Sequence, residues 1–202
     1  MKHEGKKKTA VDAKASRENV LKDIMARLRQ QGASAVKRID ISDIVVDERV
    51  RLKCQIPICD HYSKNLMCPP FVPSVAFFRD ALARYTGAIL IQITTPLPES
   101  MAGGPSAEIY TSAKKLHELV NLAEKWSFAY QFRFATGLIG GCCWLCDECV
   151  AVRNGLVCRH PFKARPSMEA MGIDVVETVA NVHLSTRFPI VKEVTWTGVV
   201  LI

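Results

Sequence analysis

A chain of 202 residues, 49% of them hydrophobic, is long enough to bury a core without disulfide staples and too apolar to be disordered. Its longest apolar runs, GAILI and GVVLI, are too short to span a bilayer, and the charged N-terminus MKHEGKKKTAVDAKAS lacks the apolar centre of a signal peptide, so a cytoplasmic protein with no membrane partner is expected. The net charge of +7 sits in residues 1–38, with 11 Lys/Arg against 4 Asp/Glu; the rest balances and shows no basic stripe interleaved with aromatics, so no nucleic-acid partner is expected.

Residues 1–15 read as a basic flexible tail and 16–202 as one domain. ASRENVLKDIMARLRQQG places Val20, Leu21, Ile24, Met25 and Leu28 at helical spacing, with Ser16 as N-cap and Gly32 as the stop. AVKRIDISDIVVD alternates Val36, Ile39, Ile41 and Ile44 like a strand, and Cys54 to Pro73 has the cysteines and prolines of a loop. SVAFFRDALARYTG reads as a second amphipathic helix ending at Gly87, followed by AILIQITT as a buried strand. After the breaker PLPESMAGGP, the longest helical pattern runs from about Ala107 to Tyr130 and carries Ile109, Leu116, Leu119, Val120 and Leu122. FRFATGLIG is a third strand candidate that runs into a second cysteine loop. RPSMEAMGIDVVETVANV gives one or two short helices, and VTWTGVVLI ends the chain as a strand. This alternation predicts an α/β fold: a single layered domain with a mixed or partly parallel sheet, helices packed on it, and two cysteine-rich metal-binding loops at strand ends.

The cysteines carry the chemistry. In a reducing compartment, clustered thiols point to metal or redox sites rather than disulfides. Cys143, Cys146, Cys149 and Cys158 form C-x2-C-x2-C-x8-C. An unbroken triple run can hold three corners of a cubane with a distant fourth cysteine closing it, whereas structural zinc sites use two separated knuckles, so the spacing favours a 4Fe-4S cluster over zinc. Cys142 offers an alternative first ligand; the ferredoxin-like period prefers Cys143. The other group, Cys54, Cys59 and Cys68, is one thiol short. An iron left open, Cys142 reaching over from the second loop, or His61 in a zinc site would each complete it.

A cluster held by thiolates is anionic and needs donors and cations around it. Arg153, Arg159, His160, Lys163 and Arg165 follow the second group closely, and Gly140 and Gly141 let backbone amides approach sulfur. Arg159, His160, Arg165 and Ser167 are therefore the candidate cofactor-contacting residues, with Glu169 beside them in a pocket. Trp144 reads as a shield for the cluster or a packing residue. Pro166 and Ser167 look like a helix start, with Met168 turned inward and Gly172 ending the turn in a left-handed conformation. Gly137, Gly140 and Gly141 run into cysteines rather than a helix, so TGLIGG is no dinucleotide fingerprint.

The Cys54/Cys59 pair leading into CPP at 68–70, the C-x2-C-x2-C at 143–149 and CRHPFKARPSMEAMGIDV from Cys158 together resemble a family of predicted metal-binding, cysteine-rich prokaryotic proteins. The likeness runs from about residue 30 onward and leaves out the basic tail. It implies metal binding through the cysteines and supplies no reaction; the doublet at Cys142–Cys143 departs from the family pattern. The expected function is that of an iron–sulfur protein with one or two 4Fe-4S clusters passing electrons to a redox partner protein. The alternatives are an enzyme with an open iron at the three-cysteine group, acting as Lewis acid or sulfur acceptor, and a structural zinc module.

Overall fold

The two most apolar runs of the chain pair with each other. In the computed structural model, which describes residues 10–97, 107–150, 152, 155, 157–186, 190 and 192–202, strand β2 (Ala88–Pro96) lies antiparallel to β4 (Glu193–Leu201), from Ala88 opposite Leu201 to Pro96 opposite Glu193. β1 (Ala35–Ile39) flanks β2 and the short β3 (Thr136–Leu138) flanks β4, giving the order β1-β2-β4-β3.

Every pairing between these strands is antiparallel, which corrects the expected mixed or partly parallel sheet. The cause is the C-terminal strand. β2 and β3 are each antiparallel to β4 and so point the same way, with the helix α4 (Ala107–Ala129) between them in sequence, as a parallel βαβ unit requires. β4 inserts between the two and splits the unit. The one parallel contact among the described residues is an isolated bridge from Ile139 to Ser167.

Strand alternation sends side chains to two layers. Ile89, Ile91, Ile93 and Val200 pack against Leu21, Ile24 and Leu28 of α1 (Ala10–Gln30) and Leu116, Leu119 and Val120 of α4. Leu90, Val199 and Leu201 face the other way, toward Phe78 and Leu82 of α3 (Val75–Leu82), Val179 of α5 (Val175–Asn181), and Met168 and Ile173. That second layer also carries α2 (Glu48–Leu52) and two 3-10 turns, Ile41–Asp43 and Glu169–Met171.

Local signals explain most element ends. Gly32 stops α1 with φ +98°, and Ala33 N–H donates back to Leu28 O at 3.1 Å. Ser74 caps α3 by accepting from Phe77 N–H at 3.2 Å. Ser16 is not a cap, since α1 already begins at Ala10. α3 stops at Leu82, and Gly87 instead adjoins β2, giving its N–H to Ile202 O at 3.2 Å. The first strand ends at Ile39, so Ile41 and Ile44 lie beyond it. Residues 1–9 of the expected tail lie outside the described residues. Among the described residues no helix is long and apolar enough to cross a membrane.

Candidate metal centre

The first cysteine loop leaves the C-terminus of α2 and folds on itself at once. Cys59 N–H donates to Cys54 O at 3.0 Å, and Gln55 and Ile58 form an isolated bridge, so the C-x4-C spacing closes a tight turn with a thiol at each end. Asn65 O then accepts from Cys68 N–H at 3.0 Å. Cys68 is buried, Cys54 half-buried and Cys59 exposed.

The second loop starts where β3 ends, and its glycines have specific work there. A Cβ on Gly140 would lie 2.7 Å from Thr197 O, and one on Gly141, at φ +80°, would lie 2.8 Å from the Trp196 ring. Only glycine passes this close to β4. Beyond the cysteines the chain returns to the same place: Ile139 N–H donates to Pro166 O (3.0 Å) and Met168 N–H to Ile139 O (2.8 Å). Arg165 anchors the return, giving its guanidinium to both oxygens of Glu124 at 2.8 and 2.6 Å while Glu124 also accepts from Gly137 N–H at 2.6 Å. His117 and Asn121 donate to Lys163 O at 2.7 and 3.0 Å. Residues 117, 121 and 124 share one face of α4.

Cys143, Cys146, Cys149 and Cys158 line one small cavity of about 20 Å³ with His160. Burial raises the Cys143 thiol, and Cys158, Cys146 and Cys149 are the neighbouring thiols that add to the effect. Cys142 has different company. Its thiol is 4% exposed, burial lifts its pKa far above the ordinary value, and Cys68 is the first neighbour to reinforce the shift, ahead of Cys143, Cys59 and Glu169. Burial likewise pushes Cys68 up to about 12, with Cys59 and Cys54 as the first neighbouring thiols to reinforce it, and raises Cys54, with Cys59 next to it. The doublet therefore divides. Cys143 stays with the second group, and Cys142 stands nearest Cys68, with Cys59 also close. Cys143 is also felt by Cys68, so the two groups adjoin. Asn65 ties them together, donating Nδ2–H to Cys143 O at 3.0 Å while its Oδ1 accepts from Met67 N–H.

Among the described residues no three His, Cys, Asp or Glu side chains are drawn tightly enough to hold a single metal ion. The donor set nonetheless fits a thiolate-bound cluster in two further respects. His160 N–H points to Cys158 Sγ at 3.4 Å, and the Trp144 indole N–H is buried with no partner, a donor left waiting for an acceptor such as thiolate or sulfide sulfur. The raised thiols would be protonated alone at neutral pH; a bound metal reverses this and releases their protons.

The other expected residues are placed as follows. Arg159 is exposed, and Ser167 is buried, its Oγ accepting from Ala170 N–H at 2.9 Å to cap the 3-10 turn. Gly172 ends that turn at φ +84° and Met168 is fully buried, as their positions predict. Arg165 is engaged by Glu124. Arg153 lies outside the described residues. His61 faces the second loop: it lines a cleft of about 460 Å³ with Cys143, Cys146 and Cys149, and its ring meets Trp144 edge-on at 5.0 Å. Trp144 in turn meets Tyr110 at 4.9 Å. Glu169 is half-buried; burial raises its carboxyl pKa, opposed by hydrogen bonds that include Gly141 N–H at 3.3 Å to each oxygen. Asn65, His117 and Glu124 were not foreseen as supports, although the 117-121-124 spacing was available as a polar stripe on a helix otherwise read from its apolar residues.

No curated protein and no solved structure matches this chain. A family model does, over residues 37–202, which takes in both cysteine loops and all of β2 to β4. The chain belongs to that family, described as predicted metal-binding protein (DUF2284).

Proposed function

We propose that the metal is iron, held with sulfide as two 4Fe-4S clusters, one by Cys54, Cys59, Cys68 and Cys142 and the other by Cys143, Cys146, Cys149 and Cys158, and that the protein carries electrons to a partner protein in a reducing compartment such as the cytoplasm. What supports this reading is that Cys143, Cys146, Cys149 and Cys158 line one small cavity while Cys142 lies by Cys68 and Cys59, in the group that lacks a fourth thiol. Such clusters supply reversible one-electron transfer at a potential set by hydrogen bonds to sulfur, burial and charge. The chain's own residues supply those controls. His160 N–H and the Trp144 indole offer donors, Cys68 and Cys142 are buried, and the exposed Cys59 brings the first group to the surface, where a partner reaches it. A fourth thiol at the first group favours a carrier over an enzyme with an open iron.

The test is composition. Protein purified without oxygen from iron-replete cells should be brown and hold about eight irons and eight acid-labile sulfides, four of each per cubane. Stoichiometric zinc without sulfide would replace this reading with that of a structural zinc module.

A further inference from the structure

A cavity of about 730 Å³ opens beside the first cysteine group, within the size range of small-molecule sites. One end is formed by Cys54, Cys59 and Glu169. The walls are branched aliphatic side chains, Ile173, Val176, Ile190 and Val194, with aromatic surface from Trp196 and Tyr110. Val176 and Ile190 stand 48% and 44% exposed, apolar surface that faces water in a concave place.

Most polar groups of the wall are already engaged. Trp196 Nε1–H donates to Ile109 O at 3.2 Å, Thr197 Oγ1 accepts from Gln92 Nε2–H at 3.2 Å, and Asp174 caps α5 by accepting from Glu177 N–H at 3.1 Å. Among the described residues the charged ones on the lining are Lys53, Asp174 and Glu169, a mixture with no strong field of one sign. Nothing among these described residues matches a phosphate or a dication. Glu169 is the acidic group at the cysteine end; its carboxylate accepts from Gly141 N–H at 3.3 Å to each oxygen and also from its own N–H and the Ser167 hydroxyl, which fix it on the lining where it can accept from an occupant.

We propose that this cavity binds a neutral, largely apolar small molecule of one or two fused rings, with a single hydrogen-bonding substituent turned toward Glu169 and the Cys54–Cys59 turn. Its occupant lies against the first cysteine group, so that group faces a small molecule and not only a protein surface. The proposal concerns the cavity and holds whichever metal the cysteines carry.

The probe is 2-naphthol, a fused-ring molecule with one hydroxyl, titrated by equilibrium dialysis against the full chain with its metal as isolated. Saturable one-site binding in the sub-millimolar range is expected, with naphthalene-2-sulfonate binding at least about tenfold more weakly because its charge must leave water. Val176→Asp should weaken 2-naphthol about tenfold by setting a charge in the apolar wall, and Asp suits the first turn of a helix, so circular dichroism should be unchanged. Phe162→Asp, at a residue 91% exposed and outside the lining, should leave binding intact. Glu169→Leu should erase the preference for 2-naphthol over naphthalene. Absent or non-saturable binding, equal effects of the two Asp variants, or a preference that survives Glu169→Leu would each overturn the proposal. Binding to a zinc protein supports the cavity while overturning the iron–sulfur reading; full iron and sulfide with no binding overturns the cavity alone.

Discussion

Asn65 gives its side-chain amide to the main-chain carbonyl of Cys143 at 3.0 Å, and the two cysteine loops are thereby joined across 78 residues of sequence. Asn65 is only 8% exposed, and its carbonyl oxygen is occupied at the same time by Met67 N–H. One buried amide thus fixes both the local turn before Cys68 and the spacing of one cysteine group from the other.

Asn65→Ala should accordingly cost about 1–3 kcal/mol through the donor and acceptor left unpaired. It should also lower metal content in both groups together. Urea unfolding and metal analysis of the same preparation check this; normal metal content at reduced stability would confine Asn65 to the turn.

The division of the doublet predicts two different losses. Cys142→Ser should remove the metal of the first group and spare the second, and Cys143→Ser should do the reverse, because an alkoxide is a poorer match to soft metal centres than thiolate. Spectra of the two variants should then sum to that of the parent protein. If Cys142→Ser keeps all its metal, Cys142 is no ligand and the first group has three thiols.

Glu124 and Arg165 are 21% and 16% exposed and bonded at two points. Glu124→Ala strands the guanidinium and Gly137 N–H together, at a cost of about 2–3 kcal/mol. The return of the chain from the second loop to β3 depends on this pair, so susceptibility to proteolysis should rise in residues 143–165 before it rises in β2 or β4. Uniform cleavage throughout the chain would show that the loop is not separately anchored.

His117 is 2% exposed, and burial holds its pKa below the ordinary 6.5, with the hydrogen bond to Lys163 O opposing the shift and Arg165 reinforcing it. A depressed folded pKa means the unfolded chain takes up the proton first. Stability is therefore full above about pH 6.5 and declines on acidification through the folded pKa, by at most about 1.4 kcal/mol per pH unit from one such group. Urea midpoints between pH 7 and 5 should fall in the parent protein and fall less in His117→Gln, which keeps a donor for Lys163 O.

β2 and β4 were legible as apolar runs, β1 from the alternation of its apolar residues, and α1, α3 and α4 because their apolar residues recur at helical spacing. Strand order was not, because the insertion of β4 between β2 and β3 is decided by packing across about a hundred residues. α2 went unread: ERVRL is five residues with two apolar positions, too short for a period to show, and its start depends on Asp47, which accepts from Arg49 N–H at 2.8 Å. The second cysteine group could be read from spacing alone. The partition of Cys142 and Cys143 could not, since adjacent residues share every sequence spacing to within one and only the folded chain separates their neighbours.

The bridge between Ile139 and Ser167 makes the second cysteine segment a closed excursion: the chain departs and comes back to the same point on the sheet edge. Lengthening or shortening such a loop changes closure entropy only as the logarithm of its size. The second cysteine loop is in that sense a closed attachment to the sheet edge. A change in the number of residues between Cys149 and Cys158 therefore costs the closure little, while β2 and β4 keep their register.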